Sequence, residues 1–390
     1  MSYTEQTVTF KTTPDFELGM ANHHRETDYF LVMPDKPAEA LVIYIPGFGE
    51  DATGDYVKTF CRKVAKKYNI ATATVYYHCC ESRILSSENI YYETEDVEYI
   101  KEFMKSFKLP FDENLTANNL EKLNTFLAKH DKKMNINATL IPGKNEYQNG
   151  GILQALDIIN ATEHAISNNN IPHQNVILVG SSYGGYIANM ATKLAPQTFK
   201  AVFDNSSWAH PNLLYIVGRH FNKAEVSKQT HSNIITQLFL RSAWTLKPGL
   251  PNTLNNNRYE IRAFSEKQII EMVQNGLQTF YYFVHAQNDL IANTKDKIAM
   301  ASFLIQHGIK VHMEVMSKED VDGRYVKELK HGMGLSLLTL FDKGYKEIAE
   351  HSITNKNDFD RKSKIIYPVE EFQYVFDYSV FPVKAYTEGF

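Results

Sequence analysis

Cysteine is scarce in this chain: there are three in 390 residues, Cys61, Cys79 and Cys80, and two of them are adjacent. That spacing suits neither a disulfide framework nor a tetrahedral zinc site and fits a reducing compartment. Positive charge is not in surplus either, because 41 Lys and Arg against 45 Asp and Glu leave a formal net charge of -4. Such a balance cannot neutralise a phosphate backbone or an anionic bilayer, so neither nucleic acid nor a membrane is expected as a partner. Long apolar runs are also missing. Stretches such as Leu41 to Ile45 fall far short of the ~20 residues that cross a bilayer, and the opening MSYTEQTVTF has neither the basic nor the apolar region of a signal peptide. A cytoplasmic location is expected, and no internal repeat or low-complexity segment breaks the chain.

Apolar residues make up 43% of the sequence, enough for a sizeable core. The length admits two average domains or one large α/β domain with insertions. TVTFKT and TDYFLVM alternate with period two, ALVIYIPG and NVILVG are short apolar runs, and DYVKTFCRKVAKKY places Val57, Phe60, Val64 and Ala65 on one helical face. Further along, FKAVFD, TFYYFVHAQNDL and KVHMEVMS read as strands, with helices through GGILQALDIINATEHAI, TKDKIAMASFLIQH and LSLLTLFDKGYKEIAEH. Strands alternating with helices predict a mostly parallel sheet covered on both faces, with its chemistry beyond the carboxyl ends of the strands. Two regions break the rhythm. Residues 81–145 read as a helical insertion, through TEDVEYIKEFMKSF and TANNLEKLNTFLAKH, and residues 208–278 as a lid or cap; both would interrupt a single domain spanning 1–390. The extension 352–390 has strand-like and turn-like pieces without a clear place.

The stretch VILVGSSYGGYIANMA contains Gly180-Ser181-Ser182-Tyr183-Gly184, a G-x-S-x-G pattern between a predicted strand and a predicted helix. A sharp turn there crowds the flanking backbones, which calls for glycine, and pushes Ser182 outward as a candidate nucleophile. The plainer alternative is a glycine-rich connection without chemistry. A serine hydroxyl needs a base to take its proton. Among 14 histidines, His331 stands out in KHGMG, in a loop between the final core strand and the final long helix, where no packing pattern explains it. The base in turn needs a carboxylate. Asp289, ending TFYYFVHAQND, gives the chain order Ser, acid, His; Asp204, one strand earlier, is the rival, and Asp296 is expected to face solvent. Backbone N–H groups of Tyr183 and of Phe48, in the loop Pro46-Gly47-Phe48-Gly49, are the expected oxyanion donors. The glycine turn lacks G-x-G-x-x-G, which argues against a dinucleotide site.

Taken together and in this order, IPGFG, GSSYGG, HAQND and KHGMG resemble the α/β-hydrolase fold from about residue 25 to 350, the two insertions apart. The run S-Y-G-G-Y is similar to the nucleophile turn of the prolyl-oligopeptidase class of serine peptidases, whereas Pro46 stands where the lipase type has histidine. Size, composition and tail resemble a bacterial family encoded near flagellin-glycosylation genes in campylobacters, and that resemblance implies a sugar-related acyl substrate. The expectation is a serine hydrolase acting on a small-molecule acyl ester, as esterase or deacylase, without cofactor or metal. An acyltransferase or peptidase using the same serine is the alternative, and a binding protein on a hydrolase scaffold the second. In the lid region Trp208 and Arg219 are candidate substrate contacts, with Arg219 and Arg241 suited by geometry to clamp an anion. Glu50 and Asp51 are expected to cap the helix that holds Val57.

Overall fold

The computed structural model describes residues 2–19, 24–50, 52–349 and 356–390. Strands β1 (Tyr3–Thr12) and β2 (Arg25–Pro34) form a hairpin-like pair at one edge of a sheet, with β1 largely exposed. The apolar runs become β3 (Leu41–Ile45), β4 (Ala71–Val75), β5 (Val176–Ser181), β6 (Ala201–Asn205) and β7 (Phe280–Ala286), buried almost throughout as strands covered on both faces must be. At the other edge lies β8 (Val311–Met316). The order is β1, β2, β4, β3, β5, β6, β7, β8, and only β2 runs against its neighbours. With a serine at the apex of the β5-to-helix turn, this is the α/β-hydrolase fold that the motifs resemble.

Helices α1 (Asp55–Tyr68), α2 (Ile152–Asn169), α3 (Tyr183–Leu194), α4 (Thr294–Gln306) and α5 (Leu337–Ile348) accompany these strands. The apolar stripe of α1 buries Val57, Phe60, Cys61, Val64 and Ala65, and the helix stops at Asn69, whose left-handed φ of 54° closes its last turn. Phe60 and Val64 meet Val42, Tyr44, Ile177, Val179 and Phe203 of the sheet and Phe341 of α5. Each such side chain taken out of water contributes about 1.5–3 kcal/mol. Helices α2 and α3 pack together on the opposite face.

The chain divides into two compact units: Met1–Cys80, Asn149–Pro211 and Leu254–Phe390 form the first, and Glu81–Gln148 with Asn212–Thr253 the second. Both interruptions of the core rhythm therefore feed one body. It holds a four-stranded sheet in which Met134–Leu140 pairs in parallel with Ile234–Leu240, flanked by Ile90–Tyr91 and Val226–His231. Helices Thr94–Ser106 and Ala117–Lys129, both predicted, bury Ile100, Met104, Leu123 and Leu127 with Ile136 and Ile234. The segment read as a lid, 208–278, is split by this division. Its end, with helices Asn256–Arg262 and Glu266–Gln274, belongs to the first unit, where buried Arg262 pairs with buried Glu17 at 2.5 Å.

Of the extension, 352–355 lie outside the described residues. Beyond them, Lys364–Pro368, Gln373–Asp377 and Lys384–Glu388 form a three-stranded antiparallel sheet. The hydroxyls of Tyr367 and Tyr378 donate to the carbonyls of Lys193 and Leu194, satisfying oxygens that the end of α3 leaves without an intrahelical donor. Among the described residues no helix is long and apolar enough to cross a membrane.

Candidate active site

The turn from β5 into α3 holds Ser182 at φ 55° and ψ -121°, a conformation rare for a side chain of this chirality. What enforces it is close approach. A Cβ on Gly180 would lie 2.5 Å from the backbone of Gly184, and one on Gly184 would lie 2.0 Å from the Ile45 carbonyl oxygen and 2.5 Å from that of Pro46. The glycines are thus needed because two loops and a helix start share one space. Gly184→Ala is expected to cost roughly 3 kcal/mol or more, since the clash is with backbone that cannot rotate away. The midpoint of urea unfolding would read that loss.

Ser182 Oγ lies 2.7 Å from His331 Nε2, and His331 Nδ1 lies 2.8 and 3.0 Å from the two carboxylate oxygens of Asp289. An ionised carboxylate only accepts, so Nδ1 carries the proton and donates to Asp289, leaving Nε2 to accept from the serine hydroxyl. The three side chains read from sequence are therefore brought into one line. Burial works to raise the Asp289 carboxyl, but hydrogen bonds from His331 and from the Ala292 and Ile291 amides hold it below its ordinary range. Those amides donate to Oδ1 at 2.9 and 2.8 Å. The carboxylate is thereby fixed in the ionised form that an imidazolium needs as its partner.

The rival acid is committed elsewhere. Asp204 is fully buried, accepts from Lys297 Nζ at 2.6 Å, and also receives the Ser207 hydroxyl and the Asn189 amide. Burial pulls the Lys297 ammonium down, and only the Asp204 carboxylate opposes that pull. This pair ties α4 to the strand end behind the Ser182 turn. Asp296 is exposed on the first turn of α4, as expected.

Phe48 and Tyr183 also meet, their rings 5.4 Å apart and edge to face. Tyr183 opens α3, so its N–H points out of the helix start, and the Pro46–Phe48 loop crosses that start. Two side chains pin the loop: Tyr77 donates its hydroxyl to the Pro46 carbonyl at 2.9 Å, and Glu50 accepts the Gly47 N–H at 2.7 Å. Here the structure corrects an expectation. Glu50 does not cap α1, whose N-cap is Gly54 without a side-chain bond; its carboxylate folds back onto Gly47 and the Tyr44 hydroxyl, which are nearer in space than the helix start. Asp51 lies outside the described residues.

The candidate substrate contacts fare differently. Trp208 is only 4% exposed, its ring set against Tyr183 and Tyr186 at 5.4 and 5.9 Å, which makes it part of the packing under the Ser182 turn. Arg219 belongs to the second unit, and the fork expected to clamp a ligand already holds Asp96, at 2.8 and 3.1 Å, and Thr139 at 2.8 Å. Its charge is answered within the protein. Arg241 donates to the carbonyl and the side chain of Asn145.

Three supporting residues escape sequence reasoning: Tyr77, Asn205 and His285. The imidazole of His285 is fully buried and pushed down in pKa by that burial, so it is neutral; Nε2–H donates to the Ala292 carbonyl at 2.8 Å, steadying the turn that grips Asp289. The only advance signal was its place four residues before Asp289 at a strand end.

A family model described as "Protein of unknown function (DUF2920)" matches residues 6–380. The chain belongs to the DUF2920 family. The match runs from β1 through both units into the Tyr378 region of the extension. No curated protein matches the sequence. Solved structures similar to it include Pyrococcus horikoshii acylaminoacyl peptidase, at 12% identity and TM-score 0.47, covering 90% of this chain and 42% of that one. A putative dipeptidyl aminopeptidase IV from Bacteroides ovatus is similar at 10% identity and TM-score 0.49, with coverages of 90% and 36%. The esterase Est22 follows at 11% identity and TM-score 0.46, with 89% and 78%. The chain thus spans about two fifths of the length of the peptidases it matches.

Proposed function

We propose that this protein is a serine hydrolase that cleaves acyl esters, as an esterase or deacylase, with an O-acylated sugar as its leading substrate class. The observation that carries the reading is His331 held between Ser182 at 2.7 Å and Asp289 at 2.8 Å. Ser182 Oγ attacks the acyl carbon while its proton passes to His331 Nε2, and Asp289 stabilises the imidazolium that forms. The oxyanion is held by the Tyr183 and Phe48 amides, and as the tetrahedral intermediate collapses His331 returns the proton to the leaving alcohol. Water, deprotonated by the same imidazole, then attacks the acyl-enzyme and frees the carboxylic acid and Ser182. Nothing in this sequence of steps requires a metal or cofactor.

The sugar class rests on the family resemblance and the ester class on the motif set. Both are tested by incubating the protein with O-acetylated mono- and oligosaccharides, simple acetate esters and peptide anilides. Acetate release from the acylated sugars, faster than from simple esters, is the expected result. Faster cleavage of the anilides would point to a peptidase. Acyl product formed on an added alcohol in preference to free acid would point to a transferase.

A further inference from the structure

We propose that Asn205 is a positioning residue that ties the nucleophile turn to the histidine loop; the inference rests on the serine-hydrolase reading of the same site. Asn205 ends β6 and is 2% exposed. Its main-chain carbonyl accepts the N–H of Ser182 at 2.7 Å. Its side-chain amide donates once to Ser181 Oγ and once to the carbonyl of Gly332, both at 3.1 Å, and its Oδ1 accepts the hydroxyl of Ser206 at 3.1 Å. Ser181 and Gly332 are the immediate neighbours of Ser182 and His331. One buried side chain thus spans the two loops whose separation sets the Ser182–His331 distance.

The histidine loop needs such a tie. Gly332, Met333 and Gly334 all take positive φ, of 75°, 56° and 53°, so the backbone beside His331 is held by loop geometry and not by a helix or strand. Met333 sinks its side chain into the core and fixes the loop's depth. Asp289 fixes the imidazole through its ring nitrogen. Neither sets the main chain of the loop relative to β5, and the Asn205 amide bridges that gap. The bond to the loop demands an amide: the Gly332 carbonyl can only accept, so an isosteric carboxylate would face it oxygen to oxygen, while the Ser181 hydroxyl could turn to donate to that carboxylate. The strand end is itself braced, with buried Ser206 at φ 59° and its N–H donated to the Val284 carbonyl at 2.9 Å.

Misplacing a reacting group by about 1 Å costs on the order of a hundred-fold in rate. Asn205→Asp and Asn205→Ala are accordingly expected to lower kcat on p-nitrophenyl acetate by about a hundred-fold with KM changed less than about three-fold, because Asn205 acts on positioning and not on substrate binding. Circular dichroism would confirm that each variant is folded, and the alanine variant serves if the buried aspartate is not tolerated. A second readout does not depend on turnover. The downfield proton resonance of His331 Nδ1–H, identified by its loss in His331→Ala, should be sharp in the parent and broadened by exchange with water in both Asn205 variants. Folded variants that keep the sharp resonance and turn over within two-fold of the parent would overturn the proposal. A parent that neither turns over nor labels with a fluorophosphonate, yet loses the resonance on substitution of Asn205, would sink the hydrolase reading and leave the tie standing.

Discussion

Replacing Ser182 with alanine is expected to abolish fluorophosphonate labelling and to lower ester turnover by on the order of a million-fold, a loss typical of removing the nucleophile of a serine triad. The size follows from the geometry. The hydroxyl is the only group at the apex of the β5-to-α3 turn that is within hydrogen-bond reach of His331, so no neighbouring oxygen can substitute. Ser181, one residue earlier, turns its hydroxyl to Asn205. Thermal stability should hold or rise slightly, because alanine at position 182 removes no bond of the fold except the one to His331. A variant that still labels, or that turns over within ten-fold of the parent, would place the nucleophile elsewhere.

Asp289→Asn should lower kcat by about ten-thousand-fold, since an amide can donate to His331 Nδ1 and so stabilise the wrong tautomer. Asp204→Asn should act differently. It leaves the buried Lys297 ammonium without its counter-charge, a loss of roughly 3–5 kcal/mol in stability, while the surviving folded protein keeps the parent's pH profile. The reverse pattern would hand the role of acid to Asp204. The depressed Asp289 carboxyl adds a pH signature with a definite sign. A carboxylate whose folded pKa lies below its unfolded value of about 4 stabilises the fold above that pH, and the contribution disappears as pH falls through the folded value. Urea unfolding of Asp289→Asn should lack that part of the acid dependence.

Ser182, Asp289 and the Pro46–Phe48 loop were legible because each follows a strand end, which apolar runs and turn residues reveal, and His331 because it lies in the long connection between β8 and α5. The fold followed from the same runs. Asn205 and Tyr77 were not legible, because their roles depend on side chains reaching across neighbouring strands to atoms 127 and 31 residues away. The sheet of the second unit stayed hidden for a similar reason. Met134–Leu140 carries two asparagines, which strands disfavour, and its parallel partner lies about a hundred residues later. Arg219 misled because a fork suited to a ligand carboxylate suits Asp96 equally well, and that partner is 123 residues away. Glu50 misled because an acidic residue just before a helix resembles a cap until the loop is seen to fold back.

The capping of α3 by Tyr367 and Tyr378 bears on how the molecule is made. Between Ser182 and Tyr378 the ribosome must add 196 residues (378 minus 182), which at roughly 5–20 residues per second takes about 10–40 s. For nearly two fifths of that interval the outer edge of β6 waits for β7, whose first residue, Phe280, follows Asn205 by 75 positions (280 minus 205). An open strand edge beside an uncovered apolar face is a target for chaperones and for self-association. A growing chain that has exposed its serine turn has no His331 beside it until the ribosome has added 149 further residues (331 minus 182), so on the proposed mechanism Ser182 passes through synthesis chemically silent.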